Sequence, residues 1–324
     1  MSSLVSIVVV NYNGEKFIRR CVNSILSQSV PPCEVIVVDN NSNDESLQVL
    51  QHLQDPRLRI LSLSKNTGYA AGCNAGIQES YGELVAVLNN DVVLDRDWLK
   101  ALLDYNSPKW SFWASRIEFS TPAGRIDSAG DGMAIVGTAF KIGHGDPVEK
   151  HLTSGEVFGP CGAAALYRRN LLETVGGFDQ DYFLVYEDAD LNFRARLLGF
   201  RCFYVADARV IHQVNTNIGT FSNAYVYYGH RNSEYTFWTN MPTRLLLLYL
   251  PERILFNLFS LVFFAWKGQL NAFLKSKRSA LKDWRLILKK RKKVQKDRIS
   301  RIEEIRHYLE RNWLKYRFKI SDLS

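Results

Sequence analysis

Three carboxylates fall within four positions at the start of a predicted helix. Glu187, Asp188 and Asp190 lie just ahead of a run with helical apolar spacing. An acidic first turn complements the helix dipole, which accounts for one or two such residues. Three adjacent carboxylates repel one another and require a cation or arginine partners. A carboxylate held there can act as a general base toward a hydroxyl group.

A second acidic candidate comes directly after an apolar run. The run Leu84–Leu88 is followed by Asn89, Asn90 and Asp91. A carboxylate held rigidly at the end of a buried strand can take a hard divalent cation, whose remaining positions bind phosphate oxygens. His212 is a candidate to complete the metal shell, although a lone histidine is more often structural. The pattern therefore predicts a site for a metal and a diphosphate.

The elements that position these residues alternate along the chain. Buried strands are predicted for three apolar runs, Ser6–Val10, Val35–Val38 and Leu84–Leu88. Helices are predicted for Glu15–Gln28, Ser46–Leu53 and Ala70–Tyr81. This order is typical of an α/β fold with an open, doubly wound, mostly parallel sheet. Ligands of such sheets bind outside the carboxyl ends of the strands, where Asn11, Asp39 and Asp91 fall.

These polar strand ends also have a plainer interpretation as turn formers and helix caps. Three strand ends in succession nevertheless favour a binding site, and Asp39 is able to accept hydrogen bonds from a base or a ribose. The segment Asn66–Gly76 has small residues at repeated positions, which permit close backbone approach to a ligand or to a strand. It contains no G-x-x-x-x-G-K-[ST] sequence, so a P-loop ATPase is not supported.

The middle of the chain gives weaker patterns. Residues 108–165 are irregular and rich in glycine. Short strands are predicted at Ser115–Phe119, Ala163–Tyr167, Phe203–Val205 and Val210–Ile211. Helices are predicted at Asn170–Val175, closed by Gly176–Gly177, and at Glu187–Leu198, closed by Gly199.

Composition and charge bound the class of protein. The chain has 324 residues, 46% of them hydrophobic, and a net charge of +8, which excludes a disordered or fibrous protein. Residues 1–240 hold 20 Lys and Arg against 26 Asp and Glu, whereas residues 241–324 hold 21 against 7. We therefore expect an acidic globular domain at 1–240 and a basic region at 241–324, and no nucleic-acid partner.

Cysteine usage and the N-terminus indicate the compartment. The five cysteines are scattered and never spaced as C-x-x-C, which favours a reducing cytoplasm over a disulfide framework or a zinc site. The first apolar run is short, β-branched and preceded by no basic residue. It is typical of a strand rather than of a signal peptide.

The basic region combines apolar and cationic residues. Leu245–Trp266 is strongly apolar, but Pro251 interrupts it, so we expect two short helices, with Pro251 in the first turn of the second. Lys275–Arg298 mixes Lys and Arg with apolar residues. This composition suits helices that lie in an anionic membrane interface. Packing on the protein's own core and a true membrane span are the alternatives, and a basic RNA-binding tail is a weak one.

Several motifs in this order carry a resemblance to a known family. They are SIVVVNYNG, VIVVDNNSNDES, NTGYAAGCNAGI, LNNDV, GPCGAAALYRR, VGGFD and YEDADLNFRARLLGFR. Together they resemble the family 2 glycosyltransferases of the GT-A fold, and within these the rhamnosyltransferase-type enzymes of surface polysaccharide assembly. The resemblance covers residues 5 to about 232. It implies inverting transfer of a sugar from a nucleotide diphosphate donor, with Mg²⁺ or Mn²⁺ as the metal.

The resemblance also implies residue roles. Asp188, with Glu187 beside it, matches the catalytic base, Asp91 matches the metal ligand of the D-x-D position, and His212 matches a metal-ligand histidine. The nucleotide-sugar-binding positions are Asn11, Asn13, Asp39, Asn66, Gly68, Asn74, Asn89, Asn90 and Arg231. Gly177, Phe178 and Asp179 match an acceptor or donor loop. Asn89 stands where the family has the first Asp of D-x-D, and the Q-x-x-R-W signature of processive synthases is missing, which favours one or few transfers per acceptor.

We therefore expect a cytoplasmic, membrane-peripheral glycosyltransferase with a glycan or lipid-linked acceptor. The partners expected are a nucleotide-sugar donor, that acceptor and an anionic membrane surface bound through the C-terminal region. Two alternatives are a catalytically inactive sugar-nucleotide-binding module and a membrane scaffold of the same fold. A nucleotidyltransferase would usually carry a Gly-rich phosphate loop with Lys or Arg after its first strand, and Asn11–Gly14 is not one.

Overall fold

A computed structural model describes residues 4–213 and 222–318 of the chain. The chain forms two compact units. In its described residues, unit 1 comprises 4–131, 141–183 and 200–213, and unit 2 comprises 132–140, 184–199 and 222–318. The sequence predicted a boundary at residue 240 between a catalytic domain and a basic region. Unit 2 contains residues on both sides of residue 240, so the compact units do not test this functional division, which stays a prediction.

Unit 1 is built on one large mixed sheet. Its strands are β1 Val5–Asn11, β2 Glu34–Asp39, β3 Leu58–Ser62, β4 Leu84–Asn89, β5 Val92–Leu94, β6 Phe112–Phe119 and β7 Ile126–Ser128. After the short strands β8 Asp131–Ala134 and β9 Ala139–Lys141, the sheet continues with β10 Gly155–Val157, β11 Ala164–Arg168 and β12 Cys202–His212. The helices of unit 1 are α1 Ile18–Leu26, α2 Ser46–Gln51, α3 Tyr69–Glu79, α4 Trp98–Asp104 and α5 Arg169–Val175.

The order of the sheet confirms the predicted α/β fold class. The strands run β10-β12-β6-β11-β4-β1-β2-β3, with β5 beside β12 and β7 beside β6. Strands β4, β1, β2 and β3 are parallel, whereas β11 is antiparallel to both of its neighbours. The edge strand β3 was not predicted, because its half-exposed sequence LRILS gives no buried run. The two short strands predicted at 203–205 and 210–211 form the single strand β12, with an irregularity between Val205 and Arg209.

Alternate residues of β1 pack against helices on opposite faces of the sheet. Ile7 and Val9 belong to a core that includes buried side chains of α1 and α4. On the other face, a Cβ added at Gly76 of α3 would lie 2.3 Å from Val8 Cγ1. The small residues of this helix therefore allow it to pack close to β1. The sequence left open whether they approach a ligand or a strand, and at Gly76 the partner is a strand.

Unit 2 is mainly helical. Its helices are α6 Glu187–Leu197, α7 Asn223–Asn240, α8 Thr243–Trp266, α9 Leu270–Lys282, α10 Trp284–Asp297, α11 Ile302–Tyr308 and α12 Trp313–Phe318. A two-residue strand, β13 Leu309–Glu310, pairs with β8 in parallel and completes a small sheet with β9. The predicted helix at Glu187–Leu198 is thereby confirmed to within one residue.

The prediction of two short helices at Leu245–Trp266 was wrong. Helix α8 runs without interruption for 24 residues, with Pro251 inside it. A proline removes one backbone hydrogen bond and costs about 3 kcal/mol in a helix interior. Tyr249, Arg253 and Phe256 are buried on either side of it, and their packing offsets that loss.

Candidate active site

Asn11, the last residue of β1, connects neighbouring strand ends. Its Nδ2 donates to Asp39 Oδ1 at 3.1 Å, and its Oδ1 accepts from Asn90 Nδ2 at 2.8 Å. The strand register places Asn11 opposite Asp39 and Val10 opposite Asn89. The three strands therefore end together, as predicted, and the buried Asn11 amide holds Asp39 and Asn90 in place.

Asp39 is further oriented by the loop that follows β2. Ser42 Oγ donates to Asp39 Oδ1 at 2.6 Å, and Ser42 N donates to Asp39 Oδ2 at 3.1 Å. Asn13 N donates to the same Ser42 Oγ at 3.0 Å, and Asn13 Oδ1 accepts from Asn43 N at 2.8 Å. The loops after β1 and β2 are thus tied to each other through Ser42 and Asn13.

Gly68 sits where the backbone approaches another segment. Its φ is +85°, and a Cβ added there would lie 2.5 Å from Phe183 O. Asn66 Oδ1 accepts from Gly68 N at 2.9 Å and from Asn40 Nδ2 at 3.1 Å. The Asn66 side chain therefore shapes the turn that opens α3, and Gly68 permits the contact with residue 183.

Asn74 on α3 ties down the predicted acceptor or donor loop. Its Nδ2 donates to Phe178 O at 2.7 Å, and its Oδ1 accepts from Phe178 N at 2.9 Å. Gly177, with φ +71°, leaves room for this pairing, because a Cβ there would lie 2.6 Å from Asn74 Oδ1. Asp179 accepts from Asp181 N and begins the next turn. Two segments that the sequence predicted separately are therefore adjacent.

The two predicted metal ligands lie side by side. Strand β5 pairs with β12 so that His212 lies opposite Val92, one residue beyond Asp91. His212 Nε2 is 3.2 Å from Asp91 Oδ1, and both side chains are buried. Pairing between distant strands thus assembles a carboxylate and an imidazole beside the strand ends that hold Asn11 and Asp39.

Asp127 on β7 is a site residue that the sequence did not reveal. Its Oδ2 accepts from His212 Nδ1 at 2.8 Å, and its Oδ1 is 2.7 Å from Lys141 Nζ. His144 Nδ1 lies 2.8 Å from the Asp127 carbonyl oxygen. A carboxylate behind a histidine fixes the ring orientation and directs the other ring nitrogen outward, which is the usual support of a metal-binding histidine. No periodicity or motif marks Asp127 in the sequence.

The ionisation of this group follows from its neighbours. Burial alone would lower the pKa of His212, but hydrogen bonds and charge from Asp127 and Asp91 raise it to about 9. Burial alone would raise the pKa of Asp127, but Lys141 and the two imidazoles hold it well below its usual range. Without a metal, His212 is therefore a cation between two carboxylates.

The donor set fits a divalent metal ion. Asp91 offers a hard oxygen, and His212, once its Nδ1–H is given to Asp127, offers the lone pair of Nε2. Carboxylates suit Mg²⁺ and Mn²⁺, while an imidazole ligand favours transition metals over Mg²⁺. Asp91 and His212 are thus the residues that would hold the ion, with phosphate oxygens left to fill other positions.

In unit 2, Glu187 and Asp188 occupy the first turn of α6. Glu187 is buried, whereas Asp188 is partly exposed and its Oδ1 accepts from Ala189 N at 2.7 Å. Burial, and next the charge of Asp188, raise the pKa of Glu187 above its usual range. Two adjacent carboxyl groups with different environments take different roles. The neutral, buried Glu187 leaves Asp188 as the carboxylate suited to accept a proton.

A strained segment leads into this turn. Val185 and Tyr186 have φ of +65° and +76°, which is rare for residues with a side chain and most of all for a β-branched one. Asn232 of α7, fully buried, donates from Nδ2 to Leu184 O at 2.9 Å and to Val185 O at 2.6 Å. Such strain persists only where the surroundings enforce it. Asn232, for which no separate role was predicted, is the residue that holds this segment.

Arg231 lies beside Asn232 on α7. Its Nε donates to Asn232 Oδ1 at 2.9 Å, and its guanidinium lies over the rings of Tyr227, Tyr228 and Tyr235 at 5.0–5.6 Å. Aromatic faces hold a guanidinium in place while leaving its charge available to an anion. Its predicted role toward a diphosphate stays a prediction.

The sequence is similar to known glycosyltransferase families and proteins. Residues 6–176 match the model of Glycosyl transferase family 2, and residues 135–274 match that of Glycosyl transferase family group 2. The chain is 31% identical to the O-antigen biosynthesis protein RfbC of Myxococcus xanthus over 225 residues, which are 64% of this chain and 17% of RfbC. It is 27% identical to the N-acetylglucosaminyl-diphospho-decaprenol L-rhamnosyltransferase of Mycobacterium tuberculosis over 281 residues, covering 75% of this chain and 89% of that protein.

Solved structures share the fold. A mannosyltransferase from Pyrobaculum calidifontis, PcManGT, in complex with GDP-Man and Mn²⁺, superposes with a TM-score of 0.55 at 17% identity, covering 87% of this chain and 76% of that one. S. aureus TarS 1–349 in complex with UDP-GlcNAc gives 0.56 at 16% identity, covering 87% and 92%. The sheet and these superpositions define the GT-A fold.

The family match covers more than half of the chain. The chain therefore belongs to glycosyl transferase family 2, as the sequence motifs predicted. It spans only 17% and 25% of the lengths of two of its relatives, RfbC and the y4gI protein of Sinorhizobium fredii.

Proposed function

We propose that the protein is an inverting, non-processive glycosyltransferase that moves a sugar from a dTDP-, UDP- or GDP-sugar to a hydroxyl of a glycan or lipid-linked acceptor. The observation that carries the proposal is the Asp91–His212 pair, 3.2 Å apart, beside strand ends whose side chains are fixed by Asn11. A carboxylate and an imidazole at that edge suit a divalent ion that binds a diphosphate. The Mn²⁺ and nucleotide sugars named for PcManGT and TarS support the same assignment.

Each proposed site residue has a separate role in the transfer reaction. Asp188 accepts the proton of the acceptor hydroxyl as its oxygen attacks the anomeric carbon, and the bond from that carbon to the diphosphate oxygen breaks. A divalent ion held by Asp91 and His212 would supply positive charge to neutralise the departing diphosphate. Arg231 adds positive charge for the same group, while Asp39 accepts hydrogen bonds from the nucleoside. The nucleoside diphosphate is the leaving product.

We place this reaction in surface polysaccharide or glycoconjugate assembly, at the cytoplasmic face of a membrane. The names of the relatives from Myxococcus and Mycobacterium support the pathway class, and the second of these names describes a lipid-linked acceptor. The basic composition of residues 241–324 supports an anionic membrane as the partner surface. Mg²⁺ and Mn²⁺ are both candidates for the metal.

The test separates binding from turnover. A thermal-shift screen of UDP-, GDP-, dTDP- and CMP-sugars with and without Mn²⁺ identifies the donor, because ligand binding stabilises the native state. With that donor, Asp188→Asn is expected to keep nucleotide binding and to lose transfer by about a hundredfold or more. Asp104→Asn, which changes an exposed acid on α4, is the control and should retain full activity.

Two outcomes would contradict the proposal. Full activity of Asp188→Asn would remove Asp188 as the base. Donor binding by the unaltered protein without any transfer or donor hydrolysis would instead support the inactive sugar-nucleotide-binding module.

A further inference from the structure

Helix α8 turns an apolar face to the outside. Every exposed side chain between Leu247 and Trp266 is apolar, and the polar Glu252 and Asn257 are partly buried. The most exposed of them, which we call the outer ridge, are Leu247, Ile254, Leu258, Val262 and Trp266, at 53–76% exposure. They recur along one side of a helix whose exposed stretch is about 30 Å long at 1.5 Å per residue. Contiguous exposed apolar patches of this kind mark interaction sites.

The inner face of α8 carries a buried charge. Arg253 is 1% exposed, and its Nη2 is 2.7 Å from Glu234 Oε1 of α7. Its Nη1 donates to Val136 O at 2.5 Å and to Ser233 Oγ at 2.9 Å. Lys277 of α9 joins the same carboxylate at 2.5 Å. Between Leu247 and Trp266, the exposed side chains of α8 are therefore apolar, while a buried ion pair fixes its inner face.

The buried Arg253–Glu234 pair bears on whether α8 lies on a membrane or crosses it. By length and composition alone, α8, which contains an 18-residue window with a mean hydropathy of 1.6, could cross a bilayer. To cross as an isolated span, it would have to leave Glu234 and carry Arg253 into the hydrocarbon, which is strongly unfavourable. A helix that stays docked through Arg253 can bury only its outer ridge in lipid.

The two helices that follow α8 in the chain carry exposed positive charge. Along α9 and α10, exposed leucines recur every seven residues at Leu274, Leu281 and Leu288. Each is followed directly by a lysine, Lys275, Lys282 and Lys289, and all three of these lysines are exposed. Exposed pairs of leucine and lysine suit a surface that contacts both acyl chains and anionic headgroups.

We propose that α8 lies flat in the interface of an anionic lipid bilayer, with the outer ridge among the acyl chains and the Arg253–Glu234 pair on the protein side. This inference rests on the proposed function only for its biological setting, a transferase with a lipid-linked acceptor. The docking mode itself rests on the exposed and buried faces of α8.

The experiment uses the full chain and vesicles of phosphatidylcholine with phosphatidylglycerol. Leu258→Glu places a charge on the outer ridge, and Leu152→Glu is its matched control, since both leucines are 55% exposed and Leu152 belongs to unit 1. We expect the ridge variant to bind vesicles about tenfold more weakly or worse, and the control to bind as the unaltered protein does. We also expect alkaline carbonate to release the bound protein from the vesicles.

Three results would overturn the proposal. Unchanged vesicle binding by Leu258→Glu would show that the ridge does not enter lipid, and retention after carbonate treatment would show a span. A change of oligomeric state in this variant, without a change in vesicle binding, would show that a second copy covers the ridge. Asp188→Asn should bind vesicles normally, and Leu258→Glu should turn over donor normally without vesicles, so failure of the docking mode is distinguishable from failure of the proposed reaction.

Discussion

Asp127 Oδ2 lies 2.8 Å from His212 Nδ1, and the same imidazole turns its Nε2 to within 3.2 Å of Asp91 Oδ1. The buried carboxylate thus determines which nitrogen of His212 faces the proposed metal position. Lys141, 2.7 Å from Asp127, balances the charge that burial would otherwise disfavour. Asp127 is therefore a positioning residue that acts through His212.

Asp127→Asn should weaken Mn²⁺ binding by about 10- to 100-fold, because the amide neither fixes the ring nor raises its basicity as the carboxylate does. Isothermal titration of the folded protein with Mn²⁺ measures the effect without reference to activity. Asp146→Asn, which disturbs a neighbouring His151 pair at 3.2 Å, is the control. In the double variant with His212→Ala, the loss should not exceed that of His212→Ala alone; additive losses would mean that Asp127 acts by another route.

Asn232→Ala should lower kcat more than it changes the KM for the donor. The substitution removes both hydrogen bonds that hold the strained backbone before Glu187, so the first turn of α6 loses its fixed position. Removing the donor of the Leu184 and Val185 carbonyl oxygens also lowers the free energy of unfolding, by about 1–3 kcal/mol. Steady-state kinetics and thermal denaturation measure the two effects. An equal loss of stability with unchanged kcat would leave Asn232 a purely structural residue.

The sequence predicted those parts of the site that lie on regular local patterns. Strands β1, β2 and β4 are apolar runs that stop at a polar residue, so both the strands and the position of Asn11, Asp39 and Asp91 at their ends followed from hydrophobicity. Helix α6 was equally visible, because its acidic start and apolar spacing are local properties. The family motifs then supplied the chemistry.

What could not be predicted depends on contacts between distant segments. Asp127 gains its role only because β7 and β12 both pair with β6. Asn232 reaches back to residues 184 and 185 from another helix, and no local pattern reports that contact. Pro251 misled the helix prediction for the same reason, since tertiary packing of α8 outweighs a local propensity.

Glu187→Gln should change the pH dependence of activity in the alkaline range. In the unaltered protein, Glu187 is neutral at neutral pH because burial and the Asp188 charge raise its pKa, and its ionisation as the pH rises puts a second negative charge beside Asp188. The raised pKa also means that its contribution to stability is complete below about pH 4.5 and is lost as the pH rises through the raised value. The variant, which cannot ionise, should keep more activity and a higher Tm than the unaltered protein at about pH 9. Parallel profiles for both proteins would contradict this assignment.

Glu234→Gln should remove an acid-sensitive part of the stability of the protein. Burial alone would raise the pKa of Glu234, but Arg253 and Lys277 lower it to about 2 from its usual 4.5. The lowered pKa means that this stabilisation is present above about pH 4.5 and is lost as the pH falls toward 2, on the order of 3 kcal/mol in total. Urea denaturation at several pH values should therefore show a flatter acid dependence in Glu234→Gln, together with lower stability at pH 7, since Arg253 loses its counter-ion. The control, Glu303→Gln at an exposed position of α11, should behave as the unaltered protein. If Glu234→Gln instead shows the same acid dependence of stability as the unaltered protein, the pair of Glu234 with Arg253 contributes nothing.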